Sequence, residues 1–91
     1  MIRSFRHKRL RRFFAEGDPR GIRPDLVERC RSRLQALEDA ESLDDLRIHG
    51  ANLHLLHGLP KRYAMHVNGP WRITFEWKDG GALRVDLEQY H

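Results

Sequence analysis

Apolar residues recur at helical spacing near the start of the chain. Leu10, Phe13 and Phe14 stand at positions i, i+3 and i+4 within a strongly basic segment, so they share one side of an α-helix. Gly17 follows shortly after, as is typical of a helix C-terminus. The pattern therefore predicts a helix over residues 7–16 with an apolar and a basic side.

A second helical pattern is longer. Pro24 stands where a helix commonly begins, and acidic residues follow in the first turn. We expect a helix over about residues 24–39, because one apolar stripe connects Val27, Cys30, Leu34 and Leu37. Cys30 lies on this stripe and is interpreted as a small buried apolar residue, not a nucleophile. Residues 42–45 resemble a capping box, which predicts one further short helical turn.

The pattern changes from helical to alternating after Gly50. Alternation of apolar and polar residues is typical of strands that bury one side of a sheet. It predicts four strands, at residues 53–55, 63–67, 71–77 and 83–87, and a short one near the start of the chain at residues 2–5. We expect the helices to cover the apolar face of this sheet.

The register of the last hairpin follows from the same alternation. A two-residue loop would set apolar Phe75 opposite charged Arg84, which a sheet with one buried face does not tolerate. We therefore expect a three-residue loop over residues 79–81, with glycine supplying the positive φ. This register pairs Ile73 with Leu87, Phe75 with Val85 and Trp77 with Leu83 on the apolar face, and Arg72 with Glu88 and Glu76 with Arg84 on the polar face.

The polar face of the predicted sheet collects titratable and cationic side chains. By register, parity or alternation it carries His54, Arg72, Arg84, Glu88 and Tyr90. Histidine titrates near neutrality, so His54 with Tyr90 and His91 forms a candidate acid/base group, and Arg72 is suited to stabilise charge on a phosphate. The alternative interpretation is that the Tyr-His pair is frayed surface at the end of the chain.

A metal or cofactor site finds little support in the sequence. Six histidines are present, but no His-x-x-x-His pair falls on a predicted helix, and the single cysteine supplies no ligand set. No glycine-rich phosphate loop precedes a helix. We therefore expect neither a metal nor a cofactor.

Length and composition indicate one small basic domain. The 91 residues predict a single domain over residues 1–91, and 17 Lys and Arg against 13 Asp and Glu give a formal charge of +4. This charge suggests an anionic partner. No apolar run approaches the ~18 residues of a membrane span, and no signal-peptide pattern is present, so we expect a soluble cytoplasmic protein without membrane contact.

Positive charge is concentrated near the start of the chain. Residues 1–12 contain no acidic residue and six basic ones, namely Arg3, Arg6, Lys8, Arg9, Arg11 and Arg12. Such a run is typical of a solvated helix face, a phosphate-binding strip or a docking surface for an acidic partner, and the sequence leaves these three open.

Several segments together resemble a known family. In order, they are Met-Ile-Arg-Ser-Phe-Arg-His-Lys at 1–8, Arg-Leu-Gln-Ala-Leu at 33–37, Leu-His-Leu at 53–55 with Gly58, Trp-Arg-Ile-Thr-Phe at 71–75 and Tyr-His at 90–91. This set spans essentially the whole chain and resembles the HigB group of the RelE/ParE toxin superfamily. The resemblance implies an α+β, RelE-like (microbial-RNase-like) fold, with two or three helices packed on a curved, mainly antiparallel sheet.

The resemblance also implies a function and its residues. It implies a type II toxin that cleaves mRNA in the ribosomal A site by metal-independent acid/base attack of the 2′-OH. His54 and His91 match the acid/base positions, Tyr90 the residue that orients or stacks on the substrate, and Arg72 the arginine that holds the scissile phosphate. Contacts to RNA are expected from a wider set, His57, Lys61, Arg62 and Arg84, and from Arg6, Lys8, Arg9 and Arg12 of the N-terminal segment.

The implied partners are a HigA-like helix-turn-helix antitoxin, the 70S ribosome with its rRNA, and mRNA, with operator DNA reached only through the antitoxin. This chain departs from the family at Gln89, where many members carry an acid, and at His57, where relatives often have lysine. Two other functions on the same fold remain open: a ParE-like gyrase inhibitor, and a non-catalytic RNA-binding or corepressor module.

Overall fold

Three helices pack against a four-stranded antiparallel sheet within residues 1–47 and 50–89, the part of the chain that the computed structural model describes. This arrangement confirms the α+β fold class. The helices are α1 (Lys8–Glu16), α2 (Val27–Asp39) and α3 (Leu43–Arg47). The strands are β1 (His54–Leu55), β2 (Tyr63–Asn68), β3 (Trp71–Lys78) and β4 (Gly81–Gln89), in the spatial order β1-β2-β3-β4.

Helix α1 has the apolar stripe and the end that its sequence predicts. Leu10 and Phe13 are buried, and Gly17 adopts a φ of 73°, from which its N–H donates to the Phe13 carbonyl. His7 caps the other end, since its Nδ1 accepts a hydrogen bond from the Leu10 N–H at 3.1 Å. That cap satisfies one of the amide donors that a helix leaves free at its N-terminus.

Helix α2 begins slightly later than predicted, because residues 24–26 form a turn of 3-10 helix before it. Cys30, Leu34 and Leu37 are fully buried, as their spacing predicts. Burial raises the pKa of the Cys30 thiol to about 11, although the charge of Arg33 opposes this shift. The complete burial of Cys30 confirms that it is a core residue, and its thiol is protonated near neutrality.

The predicted capping box covers the start of α3. One carboxylate oxygen of Asp45 accepts hydrogen bonds from the backbone N–H groups of Glu41 and Ser42, at 2.8 and 3.2 Å. The short helix buries Leu46. Aspartate therefore serves here where glutamate is more usual.

The hydrophobic core lies between the helices and one face of the sheet. Leu10, Leu26, Leu34, Leu37 and Leu46 from the helical half meet Met65, Val67, Ile73, Phe75 and Val85 from the strands. The opposite face of the sheet carries the polar residues of the alternating segments. Within the described residues, no helix is long and apolar enough to cross a bilayer.

The loop of the β3–β4 hairpin differs from the prediction. Lys78 faces Gly81 across the hairpin, so the connection is the two-residue turn Asp79–Gly80, with φ values of 52° and 74°. Positive φ at both positions is typical of the type I′ turn, whose twist matches that of the strands. The expected three-residue loop is wrong, because an irregularity further along β4 restores the register that a two-residue loop would otherwise disturb.

That irregularity is a β-bulge in β4. Arg72 pairs with Glu88 and Ile73 with Leu87 as predicted, but the register shifts between Thr74 and Glu76, where Arg84 adopts a φ of 51°. The expected pairing of Trp77 with Leu83 is therefore wrong. Beyond the bulge, Trp77 pairs with Ala82 and Glu76 with Leu83, while Phe75 lies opposite the bulge. Glu76 and Arg84 are not direct partners, but their side chains form an ion pair at 3.5 Å.

The first residues of the chain run parallel to β4. Ile2 bridges Ala82 and Phe5 bridges Val85, in place of the continuous strand that their alternation predicts. The Arg6 N–H donates to the Val85 carbonyl at 2.9 Å, and the Arg84 N–H donates to the Ser4 hydroxyl at 2.8 Å. The N-terminal segment thus covers the outer edge of β4 and holds the bulge.

The tight hairpin turn is tested by Gly80→Ala. The φ of 74° at this position is unfavourable for a residue with a side chain, so we expect the free energy of unfolding to fall by about 1–2 kcal/mol. Asp79→Asn is the control, because asparagine tolerates the left-handed region and should change stability by less than about 0.5 kcal/mol. Urea denaturation measures both, and equal stability of wild type and Gly80→Ala would contradict the two-residue turn.

Candidate functional site

Strand register brings His54 and Arg72 to the polar face of the sheet. His54 pairs with Ala64, Ala64 with Thr74, and Thr74 with Asp86, which forms one row across four strands. The adjacent polar row contains His66, Arg72 and Glu88. From standard strand spacings, the Cα atoms of His54 and Arg72 are roughly 12 Å apart. Both side chains lie on the same face of the sheet, two strands apart.

Arg72 is anchored at the end of β3. Its Nη1 donates to the carbonyl oxygens of Gly69 at 2.7 Å and Trp71 at 3.0 Å. These two bonds fix the guanidinium over the β2–β3 turn. The other guanidinium nitrogens have no hydrogen-bond partner among the described residues and are suited to bind an anion.

Arg62 belongs to a network on the same face. Its Nη2 donates to the Thr74 hydroxyl at 2.6 Å and also to a carboxylate oxygen of Glu88, while the Thr74 hydroxyl donates to that same oxygen. Thr74 is fully buried, so its hydroxyl needs such partners. The network holds the Arg62 guanidinium over strands β3 and β4.

This network keeps Glu88 ionised. Burial by itself raises the pKa of the Glu88 carboxyl, but the hydrogen bonds from Thr74 and Arg62 and the charges of Arg62 and Arg6 outweigh it, so the pKa is lowered. A carboxylate with a lowered pKa is a poor proton donor near neutrality. Glu88 therefore acts here as an electrostatic partner of Arg62.

A groove of about 520 Å³ opens beside this network. Its walls are Arg6, Arg62, Arg84, Glu76, Leu59 and Pro60. Arg6, Arg62 and Arg84 are three of the predicted RNA-binding residues, and the fold brings them together from the N-terminal segment, the β1–β2 connection and β4. The groove wall formed by Glu76 lies four residues along β3 from Arg72, which is roughly 13 Å, whereas Arg62 reaches Glu88, the strand partner of Arg72.

The remaining predicted RNA-binding residues do not converge in this way. Lys8, Arg9 and Arg12 are exposed on α1, and the methylenes of Arg9 lie against Gly21. His57 and Lys61 are exposed in the connection between β1 and β2. Their roles stay predictions.

Two of the predicted catalytic residues, Tyr90 and His91, lie outside the described residues. The last described pair of the hairpin is Trp71 with Gln89. Among residues 1–47 and 50–89, no three His, Cys, Asp or Glu side chains form a cluster suited to a metal ion. The expected independence from metals is not tested by this finding.

The sequence pattern did not reveal the partners of Arg62. Alternation puts Thr74 and Glu88 on the polar face, but Arg62 precedes β2, and the direction of its side chain is set by tertiary contacts. The signal that was available is the threonine itself, a neutral hydroxyl on the predicted polar side of β3 between Arg72 and Glu76. A hydroxyl among charged neighbours indicates a hydrogen-bonded cluster.

Helices packed on one antiparallel sheet with a cationic polar face are consistent with the fold of the RelE-like toxins. Comparison with known proteins supports this assignment. The model of the HigB-like toxin family, described as the RelE-like toxin HigB of a type II toxin–antitoxin system, matches residues 3–91, and the chain belongs to this family.

Two curated relatives align over nearly their whole lengths. The Endoribonuclease HigB of Proteus vulgaris is 37% identical over 92 residues, covering 100% of both chains. The Toxin HigB-1 of Vibrio cholerae serotype O1 (strain ATCC 39315 / El Tor Inaba N16961) is 31% identical over 93 residues, covering 99% of this chain and 98% of the relative. Membership of a type II toxin family implies an antitoxin as protein partner.

The Arg62–Glu88 ion pair is tested by Glu88→Gln. The charged hydrogen bonds should contribute about 1–2 kcal/mol to the free energy of unfolding at pH 7. Because the folded-state pKa of Glu88 is lowered, this contribution is present above the ordinary glutamate pKa and is lost as the pH falls through the lowered value. Urea denaturation at pH 7 and in acid measures the difference between wild type and variant.

Glu28→Gln is the matched control for that experiment. Glu28 also pairs with an arginine, Arg31, but its side chain is 84% exposed. Exposed pairs contribute little, so this variant should stay close to wild type at both pH values. Equal losses in the two variants would contradict a structural role for the Arg62–Thr74–Glu88 network.

Proposed function

We propose that this protein is an endoribonuclease that cleaves mRNA in the ribosomal A site. The observation that carries the proposal is the shared polar face of His54 and Arg72, a histidine and a guanidinium whose remaining donors are free, among the described residues, to bind a phosphodiester. The name of the Proteus vulgaris relative, Endoribonuclease HigB, supports the same reaction class.

The reaction needs a base, an acid and a positive charge. One of His54 and His91 removes the proton from an RNA 2′-OH, and the 2′-oxygen attacks the adjacent phosphorus. The bond from phosphorus to the 5′-oxygen breaks, and the other histidine donates a proton to that oxygen. Arg72 stabilises the charge that develops on the phosphate, and Tyr90 orients the substrate. No metal takes part.

The ribosome supplies the positioning that so small a protein lacks. Two histidines alone give modest acceleration, and a substrate held in a fixed geometry adds the larger share. The basic residues outside the groove, namely Lys8, Arg9, Arg12, His57 and Lys61, contact phosphates of ribosomal or messenger RNA. The protein works in the bacterial cytoplasm, its antitoxin is a HigA-like helix-turn-helix protein, and operator DNA is reached through that antitoxin.

Removal of either proposed acid/base group should strongly lower the rate of cleavage. We expect His54→Ala and deletion of His91 each to lower the rate of mRNA cleavage on translating ribosomes by about 10²–10⁴-fold, since each removes one proton-transfer step. His7→Asn is the matched control, because asparagine preserves the cap of α1 and His7 lies outside the proposed site.

Retained growth arrest in both histidine variants would refute the proposed chemistry. If arrest then depends on DNA gyrase, the ParE-like function replaces it. If purified wild type binds RNA but cleaves none on ribosomes, the protein is a binding or corepressor module. Circular dichroism of each variant tests whether the fold is retained.

The identity of the nucleophile is tested by the RNA itself. Attack by the 2′-OH leaves a 2′,3′-cyclic phosphate on one fragment and a 5′-hydroxyl on the other. A message with a single 2′-deoxynucleotide on the 5′ side of the cleaved bond should resist cleavage at that bond only. Mass spectrometry of the fragments measures the termini, and a 3′-hydroxyl product would show that water is the nucleophile instead.

A further inference from the structure

We propose that the groove between Arg6, Arg62 and Arg84 binds a phosphodiester of single-stranded RNA away from the cleaved bond. The proposal rests on the ribonuclease function above and adds a second RNA subsite to it. Its volume of about 520 Å³ lies within the range of ligand-binding pockets. Planar guanidinium groups match the geometry of phosphate oxygens.

Arg84 is held in an unusual backbone conformation at this groove. Its φ of 51° is one that residues with side chains seldom adopt. The conformation is enforced from outside the sheet, since the Ser4 hydroxyl accepts the Arg84 N–H and the Ser4 carbonyl accepts the Val85 N–H. The bulge sets the position from which the Arg84 side chain lines the groove.

The other two arginines reach the groove by separate routes. Arg62 is fixed by Thr74 and Glu88, so it presents a preorganised guanidinium at low entropic cost. Arg6 follows the segment that pairs with β4 and has no side-chain hydrogen bond among the described residues. A phosphate in the groove therefore finds at least one guanidinium with free donors.

Glu76 opposes the binding of an anion in the groove. Its carboxylate lies 3.5 Å from the Arg84 guanidinium, and its side chain is only 21% exposed. An entering phosphate competes with Glu76 for Arg84 and is repelled by the carboxylate. Glu76 thus weakens anion binding, which gives the groove an experimental signature of opposite sign to that of the arginines.

The groove starts at Arg62, next to the site proposed for the scissile phosphate, and extends along β3 to Glu76. Arg72 and Glu76 are four residues apart on β3, and the strand rise makes that roughly 13 Å. Leu59, 96% exposed, and Pro60 form the apolar rim. One strand of RNA bound at Arg72 can extend along the sheet to this groove, with apolar contact between the rim and a base.

Binding of an uncleavable RNA tests the subsite directly. The probe is a fluorescent 2′-O-methyl oligoribonucleotide of about ten nucleotides, and anisotropy is measured over a range of salt. Arg84→Gln and Arg6→Gln should each weaken binding about tenfold. Each should also lower the slope of log K against log salt by about 0.7, the value for one lost phosphate contact on a single strand. Glu76→Gln should bind more tightly than wild type.

Arg20→Gln is the matched control. It removes the same charge from a surface arginine that pairs with Asp18, outside the walls of the groove. Arg84→Gly completes the set, because glycine accepts a positive φ and keeps the bulge while the guanidinium is lost. Equal weakening by Arg84→Gln and Arg20→Gln, or looser binding by Glu76→Gln, would overturn the proposal.

Photo-cross-linking on the ribosome identifies which RNA supplies the phosphate. Leu59→p-benzoylphenylalanine places a photoreactive group on the rim, and cross-links on translating 70S ribosomes identify the RNA that it contacts. Cross-links to mRNA or to rRNA support the subsite and tell the two apart, whereas cross-links to protein alone overturn it. The anisotropy probe cannot be cleaved, so the affinities of the groove variants do not depend on whether His54 and His91 perform catalysis. The subsite and the catalytic proposal can therefore fail separately.

Discussion

The register of the β3–β4 hairpin is the constraint on which both faces of the sheet depend. The two-residue turn at Asp79–Gly80 fixes where the strands start to pair, and the bulge at Arg84 shifts that pairing by one residue. Without the shift, alternation would point one part of β4 to the wrong face. With it, Ile73 and Leu87 lie in the core while Arg72 and Glu88 lie on the polar face.

The same bulge joins the two ends of the chain. Ser4 binds the backbone at Arg84, so the N-terminal segment both covers the edge of β4 and delivers Arg6 beside Arg84. A sheet edge that is covered in this way is protected from pairing with another chain. The polar face is thereby extended by residues that precede the first helix, and the cationic groove forms only when both ends are in place.

Charge on the polar face is organised in two different ways. Around Arg72 the guanidinium is tied to backbone carbonyls, which leaves its charge uncompensated among the described residues. Around Arg62 it is balanced by the Glu88 carboxylate and fixed by the buried Thr74 hydroxyl. In the proposed reaction, the first arrangement suits binding of a phosphate that changes charge, and the second suits a fixed wall of the groove.

Local sequence pattern determined the elements of this protein and the face to which most residues belong. The stripe of Leu10 and Phe13, the end of α1 at Gly17 and the pairing of Arg72 with Glu88 follow from periods of 3.6 and 2, which act over a few residues. Alternation and family resemblance both indicated His54 and Arg72, and register confirmed that they share a face. Tertiary structure alone decided the bulge at Arg84, the contacts of Arg62 and the position of Arg6 beside Arg84. Each of these depends on residues far apart in the chain. A two-residue loop was rejected on the assumption of regular pairing, and only the bulge, held by Ser4 eighty residues away, reconciles a tight turn with a buried core.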